Sequence, residues 1–259
     1  MKSVPAITQI IYYLAIVFFL IAVVAAIYLG FGLSMAKVPW IFVLASFTPT
    51  LAAVLVTRKL DGAKGLRELF GRWKVEKFDL RWLLISLSPF FVVLLGILIH
   101  HILLGGDWQG IKPLSALEWF GLFVAALVIG SLGEETGWRG FMLPRLLEKM
   151  GALSASLILG LAWAAFHLPL WFIKDSGYTM PLWMFTIIIL SVTCLITVAF
   201  NISKGSILPG YILHTSFNLA GNIVMTTGLI PYDRYFVLMS VLYPLLAFVV
   251  FLHNHQKRQ

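Results

Sequence analysis

Six side chains that could do chemistry lie within apolar stretches long enough to cross a membrane. They are Glu134, Glu135, Arg139, His167, His214 and Asn218. A charged side chain at the centre of a bilayer costs at least about 2.5 kcal/mol, so ionisable residues are rare there and indicate function by default. We therefore interpret this set, called here the polar cluster, as a candidate site.

The spacing of the acidic pair predicts different roles for Glu134 and Glu135. On a helix, Glu135 and Arg139 are four residues apart, so they share a face and can form an ion pair. We expect this pairing to satisfy Glu135 and to point it away from the reaction, so Glu135 and Arg139 are assigned to holding the site. Glu134 is rotated by about 100° around the helix axis, which leaves its carboxylate free to act. His214 and Asn218 are also four residues apart and face one way.

A carboxylate, two imidazoles and an amide suit hydrolysis of an acyl bond. Glu134 is the candidate general base that accepts a proton from water. His167 would share and orient that water. His214 and Asn218 would donate hydrogen bonds to the oxyanion that forms at the scissile carbonyl.

A zinc enzyme is the main chemical variant. Glu134, His167 and His214 would make an open zinc site with water as the fourth ligand. However, the sequence has no His-Glu-x-x-His motif, and a zinc hydrolase would need a further carboxylate as base. Glu135 is the only candidate, and we expect it to point elsewhere. The residues therefore favour a glutamate base without a cofactor, with zinc as the open alternative.

The composition excludes several classes of protein. Of the 259 residues, 60% are hydrophobic and 12% are charged, and the mean hydropathy is +0.95. A soluble domain has about 25% charged residues, so a soluble enzyme and a disordered chain are excluded. Cys194 is the single cysteine, which excludes a module held by disulfides.

The apolar stretches predict an all-α, polytopic membrane protein with about eight transmembrane helices. A bilayer core needs about 20 apolar residues per helix. The candidate spans are residues 8–29, 38–57, 82–104, 117–143, 153–173, 181–201, 206–227 and 235–252. Eight such spans leave only short loops and one longer basic one, so we expect a single integral-membrane domain, 1–259.

The distribution of basic residues predicts the orientation. Residues 58–81, called here the basic segment, should lie in the cytoplasm by the positive-inside rule. Alternating from there gives fourteen Lys and Arg on the cytoplasmic side and four on the other. We therefore expect a multi-pass protein of the cell membrane with both termini cytoplasmic. The net charge of +8 then favours membrane lipids as contacts of the basic loops, and no nucleic acid is expected.

Within the basic segment, four apolar residues recur at helical spacing. They are Leu66, Leu69, Phe70 and Trp73. This pattern is typical of a short helix on the inner leaflet.

The depths of the polar residues also agree with one site. At about 1.5 Å per residue from the cytoplasmic ends of the spans, Glu134 lies about 13–20 Å deep, His167 about 20 Å and His214 about 12 Å. Helices that wall one cavity would produce such overlap. Trp138, Trp163 and Trp171 flank the cluster and either line a substrate groove or pack in the core, and core packing is favoured.

Three motifs resemble those of the CAAX-processing and bacteriocin-processing (CPBP or Abi) family of intramembrane proteases. Glu134-Glu135-Thr-Gly-Trp-Arg139 is similar to its Glu-Glu-x-x-x-Arg motif, and His214-Thr-Ser-Phe-Asn218 to its His-x-x-x-Asn motif. The second family motif, Phe-x-x-x-His, reads Trp163-Ala-Ala-Phe166-His167, with Trp in place of the usual Phe. The resemblance covers a core of about 118–220.

The resemblance implies an endopeptidase whose polar cavity opens toward the cytoplasm. It implies that the first Glu and the His of the second motif activate water, while the third motif polarises the carbonyl. Both metal-dependent and glutamate mechanisms are proposed for the family. The implied substrate is a peptide or protein, lipidated in the case of eukaryotic CAAX tails, or a bacteriocin precursor.

Two non-enzymatic interpretations compete with this one. The polar cluster could be a structural clamp in a membrane scaffold or a bacteriocin self-immunity protein. It could also be a proton relay in a small transporter, although the sequence shows neither inverted halves nor paired broken helices. Cleavage of a peptide in detergent distinguishes a protease from both.

Overall fold

The computed structural model describes residues 4–76 and 78–256. Over these residues the chain is helical apart from its connections and one isolated bridge between Ser34 and Lys174, which confirms the expected all-α fold. Four of the basic residues counted for the orientation lie outside the described residues. They are Lys2, Lys77, Lys257 and Arg258.

The described part of the chain forms α-helices joined by short turns. They are α1 (Ala6–Gly30), α2 (Pro39–Ser46), α3 (Thr48–Gly71), α4 (Leu80–Leu98), α5 (Ala116–Leu127), α6 (Gly133–Glu135), α7 (Leu143–Leu147), α8 (Ala152–His167), α9 (Leu182–Ile202), α10 (Leu208–Thr227) and α11 (Tyr232–Gln256). Wider π-type turns extend α4 over Ile99–Leu103 and join α6 to α7 over Thr136–Met142.

Seven helices or helix runs in the described residues are long and apolar enough to cross a membrane. They are Ala6–Gly30, Pro39–Gly71, Leu80–Leu103, Ala116–Leu147, Ala152–Trp171, Leu182–Ile202 and Tyr232–Asn254. These correspond to seven of the eight expected spans. The eighth, 206–227, is α10, which is 20 residues long but is not among the seven. It carries His214 and Asn218 and packs against α4, α5 and α9.

The connections between helices fall at two ends of the bundle. The basic end comprises the basic segment and the connections 148–151 and 203–207. The far end comprises the connections 31–38, 104–115, 172–181 and 228–231. Hydrogen bonds join connections at each end: the Ile207 amide donates to the Arg72 carbonyl at the basic end (2.8 Å), and the Lys112 amide donates to the Thr227 carbonyl at the far end (2.9 Å).

The predicted helix in the basic segment is present up to Gly71, as the continuation of α3 beyond a kink at Gly62. Its apolar residues do not all face lipid. Leu69 is buried, and the indole N–H of Trp73 donates to the hydroxyl of Thr136 at 3.1 Å. The segment therefore packs against the turn that follows α6.

The fourth span is broken, although a continuous helix over 117–143 was predicted. It begins with a capping box in which Ser115 and Glu118 each bond the other's backbone amide. The helix is interrupted at Ile129 (φ −80°, ψ 116°) and Gly130 (φ 84°, ψ −72°). The positive φ of Gly130 lies in a region that other residues adopt only at a cost, so this glycine permits the break.

Candidate active site

The structure brings four of the predicted site residues to one cavity of about 260 Å³. Glu134 lies on α6, His167 at the end of α8, and His214 and Asn218 on α10. The break at Gly130 also borders this cavity, called here the polar cavity. The remaining two members of the polar cluster, Glu135 and Arg139, are fully buried beside it.

One oxygen of Glu134 is held and the other is presented to the cavity. Oε2 accepts hydrogen bonds from the indole N–H of Trp163 at 2.6 Å and of Trp138 at 3.3 Å. Oε1 lies on the side of Gly130, where an added Cβ would come within 3.3 Å of it. The carboxylate is therefore fixed in orientation, and its unanchored oxygen faces the space where a reactant would sit.

Glu135 contacts the site directly, so the expectation that it points away is wrong. Its Oε1 accepts from Arg139 Nη1 at 2.7 Å and also from His214 Nδ1 at 2.9 Å. The side chains of Glu135 and Arg139 have no exposed surface. The spacing of the sequence predicted the bond to Arg139, because that residue is only four positions away. The bond to His214 joins residues 79 positions apart on different helices, and no local pattern indicates it.

Trp163 connects the members of the polar cluster. Besides its bond to Glu134, its ring face lies 4.2 Å from the guanidinium carbon of Arg139, and its ring centroid is 5.0 Å from that of His214. Trp163 and Trp138 are buried, in agreement with the favoured core interpretation. Their hydrogen bonds to Glu134 were not predicted. Trp171 lies outside the cluster and donates to the Met180 carbonyl at 2.8 Å.

The partners of the two histidines define which nitrogen is available. His167 Nδ1 lies 2.8 Å from the Trp163 carbonyl, which can only accept, so Nδ1 carries the hydrogen and Nε2 is left as an acceptor. His214 Nδ1 donates to the Glu135 carboxylate, and its Nε2 lies on the side of Gly130. Donation by His214 Nε2 therefore requires the imidazolium, whose charge Glu135 stabilises through a charge-assisted hydrogen bond.

Asn218 is positioned by the break in the fourth span. Its amide nitrogen donates to the Ile129 carbonyl at 3.4 Å. An added Cβ at Gly130 would lie 3.3 Å from His214 Nε2 and 3.4 Å from the Asn218 amide nitrogen. The absence of a side chain at Gly130 thus keeps open the space shared by the base and the two donors. In the sequence, Gly130 stands out only as a glycine within an apolar stretch, which does not indicate a break in the helix.

Residues 116–220 match a family model described as type II CAAX prenyl endopeptidase Rce1-like. The matched residues 116–220 are called here the Rce1-like domain. The match confirms the resemblance to the CAAX-processing and bacteriocin-processing family that three motifs indicated. All six members of the polar cluster lie within the domain.

A curated relative agrees with this assignment. The CAAX prenyl protease 2 of Methanococcus maripaludis is 28% identical over 108 residues. The alignment covers 39% of this chain and 40% of the relative, so it spans less than half the length of either protein.

The walls of the polar cavity also include residues outside the three sequence motifs described above. Met35, Ser176 and Tyr178 come from two connections at the far end of the bundle. Burial, together with the nearby Glu134 carboxylate, raises the pKa of Tyr178, so its hydroxyl stays protonated and can donate a hydrogen bond. The sequence did not indicate these residues, because loop residues follow no periodic pattern.

Toward the basic end, the Rce1-like domain is closely packed. Every residue from 133 to 143 is buried. At Gly137 the Pro49 carbonyl lies so close that a Cβ would collide with it, which requires glycine. The polar cavity therefore borders the connections at the far end, whereas the chain is closely packed between Glu134 and the basic end.

The arrangement of the side chains bears on whether the site could hold a zinc ion. Among the described residues, no three His, Cys, Asp or Glu side chains are placed to hold one ion together. The expected set of Glu134, His167 and His214 lines one cavity. Protein groups bond Nδ1 of each histidine and Oε2 of the glutamate, which leaves Nε2 of each histidine and Oε1 of the glutamate as the atoms that would bind an ion.

Proposed function

We propose that this protein is an intramembrane endopeptidase that hydrolyses a peptide bond with a glutamate-activated water. The observation that carries the proposal is the orientation of Glu134. Two indoles hold one oxygen, and the other faces a cavity shared with His167, His214 and Asn218. The match to a peptidase family and to a curated CAAX prenyl protease supports this assignment.

In the proposed reaction, Glu134 removes a proton from water. His167 Nε2 accepts a hydrogen bond from the second O–H of that water, which keeps its hydrogen, and so orients the water. The water oxygen then forms a bond to the scissile carbonyl carbon. As the C–N bond breaks, Glu134 returns its proton to the leaving nitrogen, so that an acid and an amine are released.

The oxyanion of the tetrahedral intermediate would receive two hydrogen bonds. We assign these to Nε2 of the His214 imidazolium and to the Asn218 amide. Donors fixed in place before the reaction stabilise developing charge without reorganisation, which makes this type of contact a large contribution to catalysis. Glu135 and Arg139 act as positioning residues, because Glu135 holds His214 and Arg139 compensates the buried carboxylates.

The proposed substrate is a peptide or protein segment at the membrane, lipidated or not. The relative's name specifies a CAAX prenyl protease, and the wider family includes proteins linked to bacteriocins. In this proposal both termini lie in the cytoplasm, and membrane lipids surround the bundle.

The proposal is tested by assaying purified protein in detergent against a library of peptides. We expect Glu134→Gln to lower cleavage by at least about 100-fold, the lower range for loss of a general base, while the thermal unfolding temperature changes little. Glu148→Gln, an exposed glutamate at the basic end, is the matched control and should cleave normally.

Unchanged cleavage by Glu134→Gln would overturn the mechanism. A folded wild-type protein that cleaves no peptide would instead support the non-catalytic alternative, a membrane scaffold or self-immunity protein.

A further inference from the structure

We propose that the protein binds one anionic phospholipid in a groove between α1 and α3, at the basic end of the bundle. Basic side chains contact the phosphate of this lipid, and apolar side chains contact one of its acyl chains. The walls of the groove, called here the lipid groove, include Tyr12, Ala15, Ile16, Leu55, Arg58 and Lys59. All of them lie outside the Rce1-like domain, so this site is separate from the candidate active site.

The lipid groove lies at the basic end because both of its helices reach that end. In the first turn of α1, the side-chain oxygen of Gln9 accepts a hydrogen bond from Arg145 Nε at 2.8 Å. Arg145 precedes the connection 148–151 of the basic end by three residues. On the other side of the groove, α3 continues into the basic segment.

The lipid groove has the size and the surroundings to receive part of an acyl chain. Its volume is about 610 Å³, within the range of about 300–1,000 Å³ typical of small-molecule pockets. Tyr12, Ala15 and Leu55 are exposed on the outer surface of the bundle. Because α1 and α3 belong to apolar runs long enough to cross a membrane, this surface faces lipid, and a lipid chain would fill the groove.

The chemistry of the groove changes with depth in the way that a phospholipid requires. α1 begins at Ala6, and the first part of α3 ends at the kink at Gly62. At about 1.5 Å per residue, Arg58 lies about 6 Å from that kink, whereas Leu55 lies about 10 Å from it and Ile16 about 15 Å from the start of α1. The charged groups therefore lie toward the headgroups, and the apolar ones lie deeper.

Two cations lie at the headgroup end of the groove. Arg58 and Lys59 are exposed, and within the part of the chain that the structure describes neither forms an ion pair. The nearest acidic residue in the sequence, Asp61, does not line the groove. Lys64, in contrast, lies 4.0 Å from the carboxylate of Glu68. An apolar helix of a partner protein would leave both cations without an anion, whereas a phosphodiester accepts hydrogen bonds from both.

A lipid in this groove would also stabilise the packing behind Glu134. It would contact α1 and α3 together, and α1 reaches the candidate active site through Tyr13. The ring of Tyr13 lies edge-on to that of Trp138, with the centroids 5.6 Å apart, and the Trp138 indole donates to Glu134. Because a ligand that binds only the folded state stabilises it, bound lipid should raise the thermal unfolding temperature.

Native mass spectrometry of the full chain in detergent tests the site. Dioleoyl phosphatidylglycerol is the anionic probe, and dioleoyl phosphatidylcholine, which has the same chains and no net charge, is its control. We expect one tightly bound phosphatidylglycerol per chain and weaker binding of phosphatidylcholine. Equal binding of the two lipids, or no binding of either, would overturn the proposal.

Two double variants separate the groove from general attraction to the basic segment. Arg58→Gln with Lys59→Gln should weaken phosphatidylglycerol binding by about 30-fold, because each basic residue near an anionic headgroup contributes a factor of about five. The lipid should then no longer raise the unfolding temperature. Lys64→Gln with Arg67→Gln removes the same charge from exposed positions outside the groove and should bind as the wild type does. Equal losses in both double variants would contradict a defined site.

A third variant tests the acyl chain. Ala15→Trp fills the groove and keeps both cations, and it should abolish the binding of phosphatidylglycerol. Its unfolding temperature without lipid should match that of the wild type, because Ala15 is exposed. Unchanged lipid binding by Ala15→Trp would place the lipid elsewhere. Competition by glycerol phosphate, which lacks the chains, would show a site for free phosphate and would also overturn the proposal.

Discussion

The indole N–H of Trp163 lies 2.6 Å from Oε2 of Glu134 and holds the carboxylate from the side opposite the polar cavity. The related family motif usually has Phe at this position, which cannot donate a hydrogen bond. In this chain the aromatic residue of the motif also donates a hydrogen bond, which orients the proposed base. Trp163 also stacks on Arg139, so one side chain links the base to its counter-ion.

Trp163→Phe should lower kcat by about 10- to 150-fold. A hydrogen bond to a charged group contributes about 1.5–3 kcal/mol, and each 1.36 kcal/mol is a factor of ten in rate. Steady-state cleavage kinetics measure the effect. Trp171→Phe is the control, because the indole of Trp171 bonds only to the Met180 carbonyl outside the cluster. Equal losses of kcat in both variants would refute a specific role for Trp163.

Glu135→Ala should destabilise the protein by about 3–5 kcal/mol, because Arg139 and His214 lose their shared buried partner. Thermal unfolding in detergent measures this change. Glu135→Gln keeps an acceptor oxygen and should restore much of the stability while activity stays low, because the His214 imidazolium loses its anion. A Glu135→Ala protein with an unchanged unfolding temperature would show that the ion pair is not required.

Gly130→Ala should abolish cleavage and lower stability by about 1–2 kcal/mol, the cost of a side chain at positive φ. The new methyl group would lie 3.3 Å from both Glu134 Oε1 and His214 Nε2, in the space left for the reacting carbonyl. Gly121→Ala, in α5 of the same span with no neighbour within 4 Å, should cleave normally. Full activity of Gly130→Ala would place the reaction elsewhere in the cavity.

Cleavage should persist in the presence of a chelator, and elemental analysis of protein purified without chelator should find no stoichiometric metal. The reason is that, among the described residues, no three His, Cys, Asp or Glu side chains are placed to hold one ion together. About one zinc per chain, with activity lost to chelator and restored by zinc, would instead make Glu134, His167 and His214 ligands.

Much of the fold could be predicted from the sequence, because spans depend on the length and polarity of local stretches. The break at Gly130 could not, since a glycine in an apolar run is compatible with a continuous helix. Pairing between Glu135 and Arg139 followed from helical spacing. The bonds from Trp163 to Glu134 and from Glu135 to His214 depend on how separate helices pack, which their own sequences do not specify.

The hydrogen bonds that tie the connections 31–38 and 172–181 together have a consequence for selectivity. They hold together one wall of a cavity of only about 260 Å³, below the range of about 300–1,000 Å³ typical of small-molecule pockets. A folded domain cannot enter a cavity of that size, whereas an extended chain can. The proposed protease would therefore accept only segments that are unfolded. The rate at which it cleaves a folded target would then depend on how often the cleaved segment of that target unfolds locally.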